Sequence, residues 1–259
     1  VEAALTDSAL ATGRGHRIIG HAVQLASLLA AVAVLLLLAV PFGWRFGLWH
    51  FRTSFQMVGW AQDLAIAAAV VAALGLVFGR AAIGRVGRLL AAALVLFGVG
   101  LVYVPWQWAQ LRGPRPPIND ITTDSADPPD IVAALPARSA EQAVAATYGG
   151  AAIAQQQQQA AYGDIAPAML ALPPAQGFKR ALAAAKAMGW TILASDPQKG
   201  TIEASDTTIY FGFTDDIVIR VTPEGVGSRI DIRSHSRQGR GDLGVNAARV
   251  RKYLAAVKG

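Results

Sequence analysis

Three long stretches of this chain carry almost no charge, and after them the pattern shifts to short alternations. His21–Val40 (HAVQLASLLAAVAVLLLLAV) has no charged residue. At about 1.5 Å of rise per residue, about twenty helical residues cross a hydrocarbon layer of about 30 Å. Met57–Phe78 and Val86–Val104 form two further runs of the same kind. Residues 1–112 are therefore expected to be a membrane anchor of three transmembrane helices, at about 21–40, 57–78 and 86–104. Pro41, Gly43 and Trp44 are expected to end the first span at an interface. Arg14 and Arg17 precede this run as they would in a signal peptide. Its apolar core is too long for one, however, and no small-x-small site follows before Trp44, so it reads as an anchor. Trp44, Trp49, Trp60, Tyr103, Trp106 and Trp108 all fall near predicted ends, where rings with a polar handle prefer the headgroup layer.

Beyond Arg112 the periodicity weakens. Gly113-Pro-Arg-Pro-Pro117 reads as a stiff, extended exit. Residues 113–172, with Asp120, Asp124, Asp127 and Asp130 recurring around Pro128-Pro129, read as a Pro/Asp-rich linker or arm. Gln155–Gln159 reads as a plain polar or helical stretch.

From Pro173 the signals sharpen. Pro173-Pro174 open a helix with the apolar stripe Phe178, Leu182, Ala185 and Met188, and Gly189 ends it. Trp190–Ala194, Thr201–Ala204, Ile209–Phe213, Ile217–Val221 and Arg229–Ser236 read as strands, with turns at Asp196–Gly200 and Pro223–Gly227. In the last strand Ile230 and Ile232 alternate inward against Arg229, Asp231 and Arg233 outward. A closing helix follows, with Asn246 as N-cap, Val245 and Val250 as a staple, and Val250, Leu254 and Val257 as its buried stripe. Residues 173–259 are thus expected to form an α+β domain, an antiparallel sheet flanked by two helices.

Charge refines this picture. The net +6 divides unevenly: residues 1–112 hold eight Arg against three acids, and residues 113–259 hold fifteen basic against fourteen acidic residues. Most of the excess flanks the apolar runs, where it sets topology, so nucleic acid is not an expected partner. The short connection carrying Arg80, Arg85 and Arg88 favours the cytoplasm. The N-terminus is therefore expected in the cytoplasm and the C-terminal domain in the periplasm, anchored in a bacterial inner membrane. There is no cysteine, which excludes disulfides and Cys-ligated metals.

Asp63 is the only acid within the apolar runs, six residues past Met57, and reads as an interface residue. Gly75-Leu-Val-Phe-Gly79 has the spacing that lets helices approach closely. Within the domain, residues 229–259 hold eight basic and two acidic residues, and residues 113–228 seven and twelve. The acidic arm is expected to fold back over the basic end, which could alternatively face anionic headgroups. A candidate surface is Arg233, Ser236, Arg237, Asp242, Asn246 and Arg249, set along a strand, a Gly-rich turn and a helix start suited to an anion. The bland alternative is that Asp242 caps the turn and Arg233 or Arg237 pairs with Asp231, Asp215 or Asp216. A hydrolase built on Ser234 or Ser236 with His235 conflicts with strand alternation, which turns neighbours to opposite faces. No catalytic residue, metal ligand or cofactor is assigned.

Arg233-Ser-His-Ser-Arg-Gln-Gly-Arg-Gly-Asp-Leu-Gly-Val-Asn-Ala-Ala-Arg249 resembles the closing motif of the family called domain of unknown function 1499. Asp215-Asp-Ile-Val-Ile-Arg220 and Pro116-Pro-Ile-Asn-Asp-Ile-Thr-Thr-Asp124 resemble it as well. The resemblance runs from about Pro116 to Val257 and implies an α+β domain, often behind N-terminal membrane helices in proteobacterial members, and exported in others. It implies no chemistry. The expected partners are membrane lipid and an envelope protein or anionic ligand bound by a non-enzymatic domain. An enzyme acting on envelope lipid or glycan, and an accessory subunit of a membrane complex using the Gly-bearing helices, are the alternatives.

Overall fold

The computed structural model describes residues 2–79, 81, 83–112, 116–157 and 162–259, which group into two units, Val1–Gly113 and Pro114–Gly259. Arg80, Arg115, most of the Gly113–Pro117 exit and the end of the glutamine run lie outside the described residues.

The first unit is three helices, α1 (Glu2–Arg45), α2 (Phe51–Gly79) and α3 (Arg85–Arg112). Each contains a segment long and apolar enough to cross a membrane: Ile18–Arg45, Phe51–Gly79 and Arg85–Gln107. All three helices outrun the apolar stretches read from sequence. α1 continues through Pro41 to Arg45 rather than stopping there. The α1–α2 connection is fastened where it turns. The ring of Trp49 fills the space a Cβ on Gly43 would need, and its Nε1 donates to Ser54 Oγ (3.0 Å). Ser54 Oγ in turn donates to the Val40 carbonyl (3.1 Å).

Small residues hold the helices together, as expected where lipid removes the hydrophobic drive and close van der Waals contact must replace it. α2 buries Ser54, Met57, Ala61, Ala65, Ala68, Ala72, Gly75 and Gly79, spaced three and four apart on one face. Ala26, Ala30, Ala33 and Ala91 complete the seams. Gly75 and Gly79 lie against Val23 and Ile19 of α1, so the Gly-x-x-x-Gly spacing is used inside the bundle and is not free for a partner. On α3, a Cβ at Gly98 would come within 2.6 Å of the Ala65 carbonyl.

The second unit is built on an antiparallel sheet. Its strands are β1 (Asp120–Thr122), β2 (Ala168–Leu170), β3 (Thr191–Asp196), β4 (Thr201–Thr207), β5 (Thr214–Glu224) and β6 (Gly227–Ser236). The order is β1-β6-β5-β4-β3, and β2 pairs with the other half of β6. Helices α6 (Pro174–Ala187) and α7 (Val245–Lys258) pack on one face. Phe178, Ala181, Trp190, Ile202, Ile217, Ile219, Ile230, Ile232, Val250 and Tyr253 form this core, with Trp190 and Tyr253 stacked at 5.3 Å.

Three readings are corrected. The stretch taken as linker contributes β1, β2 and the helices α4 (Leu135–Ala140) and α5 (Gly150–Gln157), so the compact unit starts well before Pro173. Gln157, from the glutamine run, pairs with the main chain of β1: its amide accepts from Thr122 N (3.2 Å) and donates to Thr122 O (2.9 Å). Ile209–Phe213 is not a strand but the loop of the β4–β5 hairpin, where Thr208 and Phe213 close the turn and Gly212 takes φ +71°. Its β-rich composition mimics a strand, but among the described residues the ladder between β4 and β5 stops at Thr207 and Thr214 and no strand pairing includes it. Finally, Asn246 does not cap α7. It lies inside the helix with its side chain buried, Gly244 holds the cap position at φ +83°, and Val245 is exposed, so no staple forms.

Candidate functional site

The face of the sheet opposite α6 and α7 carries charge. Strand alternation puts Glu203 of β4, Asp216 and Arg220 of β5, and Arg229, Asp231, Arg233 and His235 of β6 on this side, together with Val218. Arg229, Asp231 and Arg233 are the side chains expected outward, yet Asp231 and Arg233 are buried, as are Asp216 and His235 beside them. The segment from Asp124 to Tyr148, including α4, covers them, and Ile131, Ala134 and Ala146 close over Val218.

Charge pairing explains why the cover stays. Arg233 makes a two-pronged contact to Asp120 (2.9 and 2.8 Å) and donates to the carbonyls of Pro129 and Ala146. Arg229 bridges Asp231 and Asp124, and Arg220 reaches Asp127. Asp216 receives two guanidinium groups, Arg138 of α4 at 2.7 Å and Arg237 at 2.7 Å, and Arg237 also holds Glu141. Glu203 accepts from the backbone N–H groups of Val132, Ala133 and Ala134, fixing the entry to α4. The arm thus folds over the basic strand as its acidity led us to expect, and its ion pairs are largely withdrawn from water.

His235 lies in the middle, 3.8 Å from Asp120 and 3.5 Å from Arg138. Burial drives its pKa down to about 4, Arg138 and Arg233 push the same way, and Asp120 opposes. It is neutral near pH 7. Tyr148, over which Arg233 stacks, is pushed up to about 12 by burial and by Asp120.

A second network occupies the α7 side. Asn246 accepts from Ser234 Oγ (2.6 Å) and donates to Ser236 Oγ (2.9 Å) and the Asn119 carbonyl (3.0 Å). Arg249 donates to Ser234, Asn246, Asp206 and Asp215. Burial raises the pKa of Asp215, and Arg249 counters it. Asp242 closes the turn into α7, accepting from Gly244 N (2.8 Å) and Asn246 N (2.5 Å).

The six residues read as one surface are therefore divided. Ser236, Asn246 and Arg249 meet on the helix side with Asp242 at the turn, whereas Arg233 and Arg237 face the arm. Five of the six are buried and their guanidinium groups are matched by carboxylates, so they do not form a joint exposed contact. Of the expected mates Asp231, Asp215 and Asp216, Arg237 takes Asp216, whereas Arg233 takes Asp120, which was not among them. Arg138, Glu141 and Glu203 were not singled out, since nothing local marks a residue that pairs with another some seventy to a hundred positions away. Ser234 and Ser236 point away from His235, as alternation requires, so no serine–histidine pair forms. Among the described residues no group of three or more His, Asp or Glu is arranged to hold a metal ion.

What the domain does expose lies at one end of the sheet, where β4 meets β5 and β6 leaves for α7. The hairpin tip presents Ile209, 94% exposed, and Tyr210, with Phe211 and Phe213 stacked at 5.1 Å behind them. Leu243 is 70% exposed in the neighbouring connection and holds φ +55°, a costly conformation for a branched side chain. The chain also enters the domain here, with Asp242 N bonded to the Ile118 carbonyl.

The arm and the closing motif belong to one family pattern. Residues 120–257, more than half of the chain, match the family described as "Protein of unknown function (DUF1499)". The chain belongs to the DUF1499 family. The match begins at β1 and ends in α7, so the arm is an integral part of the DUF1499 domain. No curated protein matches the chain.

Proposed function

We propose that this DUF1499 protein is a membrane-anchored recognition module rather than an enzyme. Its N-terminus lies in the cytoplasm of a bacterium, its three helices cross the inner membrane, and its domain binds a protein partner in the periplasm. The short, Arg-rich connection between α2 and α3 supports that orientation, since positive charge in short loops is retained inside. The observation that carries the binding role is the hairpin tip, an apolar and aromatic group on a domain whose buried charges are satisfied internally. Exposed aromatic side chains are enriched at protein contacts. An anionic ligand is less well supported, because Arg233, Arg237 and Arg249 would each have to leave a carboxylate to bind it.

The test is mass spectrometry of the full-length protein gently extracted from its own membrane, beside an Ile209→Ser/Tyr210→Ser variant. A stoichiometric protein partner is expected with the native chain and should be lost from the variant, with the unfolding midpoint of the domain unchanged. A partner that survives the double substitution, or a native chain that emerges alone, overturns the proposal. Retained lipid in place of protein would move the contact to the membrane surface.

A further inference from the structure

On the arm side of the sheet, positive charge is matched by carboxylates. Arg138, Arg220, Arg229, Arg233 and Arg237 each hold one. The helices on the other side are charged differently. α6 contains three basic residues and α7 four, and neither contains an acid. Arg249 is turned inward on Asp215, and Arg251 holds Asp164. Lys179, Arg180, Lys186, Lys252 and Lys258 are exposed, and none of them makes an ion pair with another described residue. The acidic arm lies across the sheet from them, so it does not neutralise this side.

The two helices present these charges on one surface. Tyr253 of α7 donates to the Ala181 carbonyl of α6 (3.1 Å), and Arg180 Nε donates to the Val257 carbonyl (2.6 Å), so their outer sides adjoin. Lys179, Ala183 and Lys186 recur at steps of four and three along α6, and Ala248, Lys252 and Ala255 do the same along α7, which puts each set on one side of its helix. All six are exposed. The residues between the charges are alanines, so no bulky side chain holds the lysines back from a flat surface.

We propose that this face of α6 and α7 rests on the anionic phospholipid headgroups of the membrane that anchors the chain. Charge complementarity is the first support, since the face carries one sign only. Its composition is the second. Lysine and alanine are depleted at protein contacts, which favour aromatic residues and arginine. A flexible lysine ammonium suits a field of headgroups and needs no fixed two-pronged partner. The three apolar helices of the same chain make the encounter intramolecular and so raise the effective concentration of headgroups. Each lysine or arginine near an anionic surface adds about fivefold to binding, and salt screens the attraction. This surface is separate from the hairpin tip, which lies at the end of the sheet where β4 meets β5.

The absence of cysteine allows a clean test with single probes in the full-length chain. Ala183→Cys and Ala255→Cys mark the face, and Val132→Cys, at a position 61% exposed on the arm, is the control. Each is reconstituted into nanodiscs of phosphatidylcholine alone or of equal parts phosphatidylcholine and phosphatidylglycerol, and the rate of labelling by an uncharged, water-soluble maleimide is measured. With phosphatidylglycerol the two face probes should label about tenfold more slowly, the control should not change, and high salt should restore the rate. Adding Lys179→Gln and Lys252→Gln should weaken docking about 25-fold and abolish the protection, with the urea midpoint of the domain unchanged. Equal rates in the two kinds of disc, or protection that survives high salt, overturns the proposal. Protection found in native membranes but not in phosphatidylglycerol discs would assign the face to an acidic macromolecule and overturn it as well.

Discussion

Asp216 offers the sharpest test of the charged face. Its side chain is 1% exposed and is the shared counter-ion of Arg138 and Arg237. Asp216→Ala removes the 2.7 Å contact to Arg138 and three contacts to Arg237 at 2.7–3.2 Å. Arg237 keeps Glu141, and Arg138 keeps the carbonyls of Val144 and Ser236, but two buried cations lose their principal anion. Breaking one buried pair this way costs about 3–5 kcal/mol, because the remaining charge is stranded without water. The Arg251–Asp164 pair is the control, since both side chains are partly exposed. Asp164→Ala should cost less than about 1 kcal/mol, because water replaces the lost partner. Pulse proteolysis of the full-length protein across a urea series reads both. With a urea slope of about 1–3 kcal/mol per molar, the Asp216 variant should move the midpoint of the domain by about 2 M and the Asp164 variant by a few tenths. Equal shifts would refute the argument that burial, not pairing as such, sets the cost.

Two further outcomes follow from the same geometry. His235 is neutral in the folded domain with a pKa of about 4 and titrates near 6.5 when unfolded, so between these values the unfolded chain binds the extra proton. Its contribution is fully present above about pH 6.5 and is lost as pH falls towards 4. Going from pH 7 to pH 5 should cost about 2 kcal/mol, and His235→Gln should remove that part of the slope in thermal unfolding. Asp120, Arg138, Arg233 and Asp216 face the ring, and an unchanged slope would assign the dependence to the carboxylates instead. Glu203→Ala should cost about 2 kcal/mol locally by leaving three backbone N–H groups at the start of α4 without their anion. Limited proteolysis between Asp130 and Val144 should then quicken before the rest of the domain opens, and no change in that cut would show that the arm is held elsewhere.

The amino-acid sequence by itself determined the three apolar helices, the positions of α6 and α7, and most of β3 to β6, because each follows from periodicity over a few consecutive residues. The turns at Gly200 and Gly225 were legible for the same reason, since both glycines take positive φ. The acidity of the arm and the basicity of the chain end were visible too, and with them the expectation that the two would pair. Only the tertiary structure decided which residues do so. Asp120 lies 113 positions from Arg233, and Arg138 lies 78 from Asp216, separations over which no local pattern carries information. Alternation told us that Arg233 and Ser234 point to opposite faces, but not that both faces would be covered. That depended on β1 and β2 lining one edge of β6 and drawing the intervening segment across the sheet. The loop at Ile209–Phe213 shows the converse. β-propensity describes side chains that suit a pleated, half-buried surface, and whether a strand forms there depends on a neighbour to pair with. Asp63 was legible as an acid in an apolar run. Its outward direction emerged only once Ala61, Ala65 and Ala68 were seen to hold the inner face of α2 against its neighbours.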